Sequence, residues 1–150
     1  MNERPILFSA PMVRAILDGR KTTTRRIIKH KKQLYIPGCL LWVRETWSMN
    51  PEKGAAPLSV VYRADPEWDE YYDDIKWHPS IFMPRVYSRI TLRIVKVRDD
   101  WLNNISESDA KAEGVNDKAE FSLLWDKING NGAFAKNPMV WVIEFERIYD

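Results

Sequence analysis

The stretch that most limits the possible folds is residues 139–148, where large apolar side chains occupy every second position. Such alternation predicts a β-strand with one buried face. Residues 89–98 alternate in the same way, and short apolar runs predict further strands at residues 6–8, 40–47 and 60–64. The long strand at residues 139–148 is expected to close the sheet. Its alternating positions on one face are Met139, Trp141, Ile143 and Phe145.

Helical patterns separate these strands. Residues 12–17 follow a Ser-x-Pro start signal, and residues 119–128 place their apolar side chains on one face. Ser106 and Asp109 have the spacing of a capping box for a helix that ends at Gly114. Strands with helices between them, without repeated βαβ units or a G-x-G-x-x-G motif, predict an α+β barrel rather than a dinucleotide-binding fold.

Composition limits the domain count and the compartment. A chain of 150 residues with 45% hydrophobic content can bury one core, so we expect a single domain over residues 1–150. The only cysteine, Cys39, excludes an internal disulfide and fits a reducing cytoplasm. The two histidines lack the spacing of metal ligands, so no metal and no cofactor are predicted. There is no secretion signal and no apolar run of about 20 residues, so we expect no membrane partner.

Positive charge is concentrated in one segment. Residues 20–32 hold seven of the 23 lysines and arginines and none of the 21 acidic residues. The rest of the chain is therefore net negative, with 16 basic against 21 acidic side chains. Clustered charge of one sign attracts polyanions without reading their sequence. We therefore expect this segment to attract RNA or another nucleic acid.

Residues 19–26, here called the basic turn, contain a lysine that could act as a base. Lys21 lies among Arg20, Arg25 and Arg26. Neighbouring cations and burial both favour a neutral amine, which would lower the pKa of Lys21 towards the catalytic range. The alternative is a solvated turn in which Lys21 only stabilises the carboxyl end of the preceding helix.

The order Gly19-x-Lys21-x-x-Thr24-x-Arg26 resembles the G-x-K-x-x-E-x-R signature of the ASCH family, small RNA-associated domains with a PUA-like β-barrel. Threonine in place of the glutamate is similar to the branch that contains bacterial N4-acetylcytidine amidohydrolases, whose K-T-x-T-x-R run is matched from Lys21 to Arg26. Residues 19–22 and 42–47 also resemble phage and prophage ASCH proteins. The resemblance implies a PUA-like mixed or antiparallel barrel with short flanking helices.

The resemblance also implies catalytic roles. Lys21 would be the proton acceptor, Thr24 the nucleophile and Glu113 the proton donor. Glu113 is expected at the carboxyl end of a helix, where the dipole disfavours a negative charge and so suits a proton donor. In a straight strand, residues 21 and 24 point to opposite faces. A working pair therefore requires a bend or a bulge between Lys21 and Thr24.

Further residues are predicted to bind the ligand. In the strand at residues 40–47, Trp42 and Arg44 share one face and could offer a stacking surface and a hydrogen-bonding fork, while Glu45 lies on the other face. We expect one of these faces to line the pocket. The segment from Trp77 to Pro84 resembles a W-x-P-S-x-x-M-P loop of the phage relatives. This loop could carry Trp77 or Ser80 to the ligand. The alternative is that the loop and its aromatic residues only pack against the rest of the protein.

Three function classes follow from these residues. The first is hydrolysis of the acetyl amide of N4-acetylcytidine, with Lys21, Thr24 and Glu113 in the roles above. The second is a ribonuclease activity, in which the basic turn acts electrostatically. The third is a non-catalytic module that binds RNA or a modified base with the same cations, including Arg20, Arg25 and Arg26.

Overall fold

The computed structural model describes residues 2–30, 33–49 and 60–149. Three α-helices and seven β-strands form the described part of the chain. The helices are α1 (Ala10–Leu17), α2 (Glu107–Ala112) and α3 (Lys118–Asn129). The strands are β1 (Glu3–Leu7), β2 (Thr23–Ile27), β3 (Leu40–Arg44), β4 (Trp47–Met49), β5 (Val60–Tyr62), β6 (Thr91–Trp101) and β7 (Met139–Ile148).

Five strands form the main sheet, in the order β1-β3-β6-β7-β2. Strands β1 and β3 pair in parallel, and the other neighbours are antiparallel. The longest pairing joins β6 to β7, from Thr91 opposite Ile148 to Trp101 opposite Met139, and it shifts register between Ile94 and Lys96. A separate two-stranded sheet joins β4 to β5. The predicted α+β class is confirmed.

The main sheet is open within the described residues. β1 and β2 are its two edges, and no pairing between them closes a barrel. One side chain spans the opening, because Arg26 Nη2 donates to the carbonyl of Leu7 at 2.9 Å. The expectation that residues 139–148 close the sheet is wrong, since β7 lies between β6 and β2. The predicted strand at residues 40–47 is divided into β3 and β4 at Glu45 and Thr46.

The helix boundaries follow local sequence signals. Ser9 is the N-cap of α1, with a proline in the first turn, and Gly19 follows the helix with φ 80°. In α2, the predicted capping box is present: Ser106 Oγ accepts from the Asp109 amide, and the Asp109 carboxylate accepts from the Ser106 amide. The amides of Arg20 and Lys21 both donate to the carbonyl of Ala15, which holds the basic turn against α1.

The core lies between the sheet and the helices. Its fully buried members come from β3, β6 and β7 and from α1, and loop residues complete it. The proline-bracketed loop at residues 79–84 packs inward through Met83, which is fully buried. The turn-rich residues 50–59 lie outside the described ranges. Among the described residues, no helix has the length and apolarity to cross a bilayer. Core residues include Val13, Leu41, Val43, Leu92, Ile94, Leu102, Val140 and Ile143.

Candidate functional site

A cavity of about 830 Å³ opens between the two edges of the main sheet. Residues 5–8 of the β1 edge form one side, residues 24–27 of the β2 edge form the other, and α3 contributes an apolar wall. This volume lies within the range of roughly 300–1,000 Å³ that small-molecule sites occupy. Lys21, Thr24 and Glu113 all line this cavity, as do Arg25 and Arg26.

Lys21 is buried at the entrance to β2, with 3% of its surface exposed. Its ammonium group donates to the carbonyl of Thr23 at 2.7 Å, the carbonyl of Glu113 at 2.9 Å and Glu113 Oε1 at 3.4 Å. Burial lowers the pKa of Lys21 to about 8, and the charges of Arg26 and Arg25 act in the same direction against the opposing Glu113 carboxylate. A substantial neutral fraction therefore exists near physiological pH.

Glu113 is the residue that ends α2, and its carboxylate is fully engaged. Oε2 accepts from Arg25 Nη1 at 2.8 Å and from the Thr23 hydroxyl at 3.0 Å, while Oε1 faces Lys21. The next residue, Gly114, has φ 101°. A Cβ atom at Gly114 would lie 2.9 Å from Ala15 Cβ and 3.3 Å from Lys21 Cβ, so the absence of a side chain allows α2 to reach the basic turn.

Thr24 is paired with Arg26 on β2. Arg26 Nη1 donates to Thr24 Oγ1 at 2.8 Å and to the carbonyl of Arg25 at 3.2 Å. Burial lowers the pKa of Arg26. Two cationic side chains lie over the Phe8 ring. Its centroid is 5.1 Å from Arg26 Cζ and 5.4 Å from Lys21 Nζ. Because the Thr24 oxygen accepts from a guanidinium, its own O–H remains available as a donor.

The geometric conflict between positions 21 and 24 is avoided because Lys21 precedes the strand. β2 begins at Thr23, so strand alternation does not govern Lys21. Within β2, Thr24 and Arg26 point to one face and Thr23 and Arg25 to the other. Glu113 contacts the second face. Side chains from both faces border the same cavity because it runs along the free edge of the strand.

Two other residues predicted to bind the ligand border the cavity, whereas Arg20 does not. Arg25 is buried and bridges Glu113 to Asp109, whose Oδ2 lies 3.6 Å from Arg25 Nη2. Ser80 lines the cavity from the proline-bracketed loop. Arg20 is exposed, bonds Asp18 and the carbonyl of Gly114, and lies outside the lining.

The predicted stacking surface at Trp42 is covered by the protein itself. The Arg44 guanidinium lies 4.7 Å from the Trp42 ring centroid, and the Arg85 guanidinium lies 5.5 Å from it. Trp42 has 8% of its surface exposed. Neither Trp42 nor Arg44 is part of the cavity lining, and Trp77 also lies outside it.

Glu45 belongs to a separate ion-pair network. Its buried carboxylate accepts from Arg89 Nε and Nη2, both at 3.0 Å, and Arg89 Nη1 also pairs with Asp65 at 2.8 Å. Burial raises the pKa of Glu45, although Arg89 opposes that shift. These contacts tie the junction of β3 and β4 to the start of β6, away from the cavity.

Sequence reasoning missed the apolar wall of the site. α3 contributes four side chains from one face, and Trp141 and Tyr35 add aromatic surface. The periodicity of α3 did predict that these side chains share one face, but it did not indicate that the face borders a cavity. The four side chains are Phe121, Leu124, Trp125 and Ile128. No cluster of potential metal ligands occurs within residues 2–30, 33–49 and 60–149.

No protein-family model matches this chain, and no curated protein matches it. Three solved structures resemble it over almost its full length. Hypothetical protein PH0355 has a TM-score of 0.56 at 12% identity, covering 98% of this chain and 100% of that one. The ASCH domain from Lactobacillus crispatus JV V101 has a TM-score of 0.57 at 14% identity, covering 99% of this chain and 81% of that one.

The third structure is protein EF3133 from Enterococcus faecalis V583, with a TM-score of 0.55 at 14% identity. The alignment covers 99% of this chain and 77% of that one. At such identities, the likeness establishes a common fold, and the chemistry must be argued from the site. The chain therefore has the fold of an ASCH domain, in agreement with the family that its basic turn resembles.

Proposed function

We propose that the protein hydrolyses the acyl amide of an N4-acylated cytidine, either free or in RNA. The observation that carries this proposal is the meeting of Lys21, Thr24 and Glu113 at one cavity of nucleoside size. The lowered pKa of Lys21, about 8, gives that cavity a base suited to neutral pH. The aromatic and aliphatic wall from α3 offers a surface for a planar ring.

The proposed reaction proceeds in two steps. Thr24 Oγ1 attacks the acyl carbon while Lys21 takes the hydroxyl proton, and the C–N bond breaks as Glu113 returns a proton to the leaving amine. Water then attacks the threonine ester with the same base, which releases the carboxylic acid and restores the hydroxyl. Arg26, at 2.8 Å from Thr24 Oγ1, orients the nucleophile and stabilises the negative charge that develops on the acyl oxygen.

The resting contacts define what must change during this reaction. The three N–H groups of charged Lys21 are taken up by Thr23 and Glu113. Loss of one proton leaves a lone pair that can accept the Thr24 proton once the amine turns towards β2. Glu113 becomes a proton donor only after it has received a proton from Lys21, 3.4 Å away.

The same contacts favour a second candidate function. A lysine that is held by three acceptors and a carboxylate that is paired with Arg25 can serve as fixed structure. In that case the protein is a non-catalytic module that binds a modified base or RNA in the cavity. Its cations then hold phosphate or carbonyl oxygens.

Acetate release from N4-acetylcytidine and from acetylated RNA tests the proposal. Wild type should release acetate, and Thr24→Val, which keeps the shape of the side chain but removes the hydroxyl, should lower kcat by about 10²–10⁴. Arg20→Ala, outside the cavity, is the matched control and should retain activity. Wild-type binding without acetate release would refute hydrolysis of this substrate and support the binding module, whereas cleavage of the RNA chain would identify a ribonuclease.

A further inference from the structure

Two free strand edges face each other across the cavity, and their backbone groups point into it. Among the described strands, β1 pairs only with β3 and β2 pairs only with β7. Both edges also supply cavity residues, at positions 5–8 and 24–27. An edge strand presents a row of unpaired N–H and C=O groups, which ordinarily find another strand, water or a ligand.

The pairing of β2 with β7 identifies which of its groups face the cavity. The amide of Phe145 donates to the carbonyl of Thr22, and the amide of Ile28 donates to the carbonyl of Met139. Antiparallel ladders use every second residue, so Thr24 and Arg26 also bond β7. The residues between them, Thr23, Arg25 and Ile27, therefore direct their N–H and C=O groups away from the sheet.

Side-chain contacts agree with this assignment. The carbonyl of Thr23 accepts from Lys21 Nζ at 2.7 Å, and the carbonyl of Arg25 accepts from Arg26 Nη1 at 3.2 Å. Neither bond could form if these carbonyls faced β7. The described residues provide no partner for the amides of Arg25 and Ile27.

β1 is arranged in the same way on the opposite side. The amide of Leu40 donates to the carbonyl of Asn2, and the amide of Phe8 donates to the carbonyl of Arg44. In this parallel pair, every second β1 residue bonds β3, which leaves Pro5 and Leu7 facing the cavity. The carbonyl of Leu7 accepts from Arg26, which agrees with this carbonyl pointing away from β3. Pro5 lacks an N–H, so the amide of Leu7 is the β1 donor in this part of the edge.

Donors exceed acceptors at the cavity. The free amides belong to Leu7, Arg25 and Ile27. The carbonyls of Thr23, Arg25 and Leu7 already accept from Lys21 or Arg26, which leaves two edge acceptors, the carbonyls of Pro5 and Ile27. The cationic side chains add only donors. A ring that fits must therefore present more acceptors than donors. Cytosine does so through its ring nitrogen and carbonyl, and N4-acylation adds a carbonyl while removing one N–H. On the Watson–Crick edge, where cytosine presents these two acceptors, guanine instead presents two donors beside one acceptor.

We propose that the free edges of β1 and β2 read the base through the backbone amides of Leu7, Arg25 and Ile27, and so select an acceptor-rich pyrimidine over guanine. This inference rests on the proposed function, because it assigns specificity within the same cavity. Backbone groups fixed by the sheet discriminate well, since a mismatched base leaves a buried donor unpaired. We expect N4-acetylcytidine to bind more tightly than cytidine, and guanosine to bind about 10-fold or more weakly than cytidine.

Amide hydrogen exchange measured by NMR tests the assignment on the whole chain. The Thr24→Val protein with N4-acetylcytidine and the wild type with cytidine avoid turnover during the measurement. At about ten times Kd, exchange at Arg25 and Ile27 should slow by about 10-fold. The amides of Thr24 (or of the valine that replaces it) and Arg26, which bond β7, serve as internal controls and should be protected with and without ligand.

A proline substitution provides an independent test. Ile27→Pro removes one outward N–H from an edge strand, a position where proline is tolerated. Ile27→Ala trims the same side chain but keeps the amide. The affinity of Ile27→Pro for N4-acetylcytidine should fall about 10-fold below that of Ile27→Ala.

The outcomes separate this inference from the proposed hydrolysis. Acetate release without slower exchange at Arg25 and Ile27 overturns the edge readout alone. Slower exchange at these amides without acetate release supports the readout and rejects the hydrolysis. Guanosine binding as tightly as cytidine overturns the selectivity, and failure of every nucleoside and of acetylated RNA to bind overturns both proposals.

Discussion

The buried Lys21 should make the stability of the protein increase with pH between neutral and alkaline conditions. Its pKa is about 8 in the folded protein, against 10.5 for an ordinary lysine side chain. Between these values the unfolded chain binds more protons than the folded chain, so the free energy of unfolding rises with pH. Each unit of difference is worth about 1.36 kcal/mol. Integration from pH 7 to pH 9.5 gives about 2 kcal/mol, and the gain ends above the unfolded pKa.

Urea unfolding of wild type and Lys21→Met at pH 7, 8, 9 and 9.5 measures this effect. Contributions from groups that are present in both proteins cancel when the two pH dependences are subtracted. The remaining difference should grow by about 2 kcal/mol in favour of wild type as the pH rises over this range. NMR titration of the Lys21 side chain gives the pKa directly. A flat difference, or one that declines with pH, would refute the claim that burial outweighs the Glu113 carboxylate.

Three further predictions concern other parts of the structure. If Lys21 is the base, kcat/KM for acetate release should rise with pH to a plateau, with a midpoint near 8; a profile that is level from pH 6 to pH 9 would contradict that role. Gly114→Ala should lower the free energy of unfolding by about 1–3 kcal/mol more than Gly38→Ala does. Both glycines have positive φ, but only the new Cβ at position 114 would lie 2.9 Å from the Cβ of Ala15. Equal losses of stability in chemical denaturation would contradict this steric clash. Glu45→Gln should cost about 1–3 kcal/mol of stability because Arg89 loses the charged acceptor of two hydrogen bonds and keeps only Asp65 as an ionic partner, while nucleoside affinity measured by calorimetry should not change.

Local signals in the sequence predicted the elements well. The alternation in residues 139–148 coincides with β7, and the capping box begins α2 where Ser106 and Asp109 indicated. These features depend on side chains a few residues apart. The same locality explains why the break at Glu45 was missed, since the carboxylate is held by Arg89, 44 positions further along the chain.

The meeting of distant residues required information that periodicity does not carry. The motif resemblance brought Lys21, Thr24 and Glu113 into one hypothesis, and the structure places all three at one cavity. Their roles stay predictions. Trp42 was a candidate for ligand stacking because its strand face could be predicted, but Arg85, 43 positions away, covers the ring. The open edge between β1 and β2 depends on strand order, which no single segment encodes.

The placement of β2 has a consequence for folding. Within the described part of the chain this strand pairs only with β7, so residues 23–27 find their sheet partner more than 110 positions later in the chain. Bringing such distant segments together costs loop-closure entropy before any contact compensates for it. Until residues 139–148 have been synthesised, a ribosome-bound chain therefore cannot form the pairing of β2 with β7. The cavity is expected to be among the last parts of the protein to take shape, after the locally encoded helices and well after synthesis of Lys21 itself.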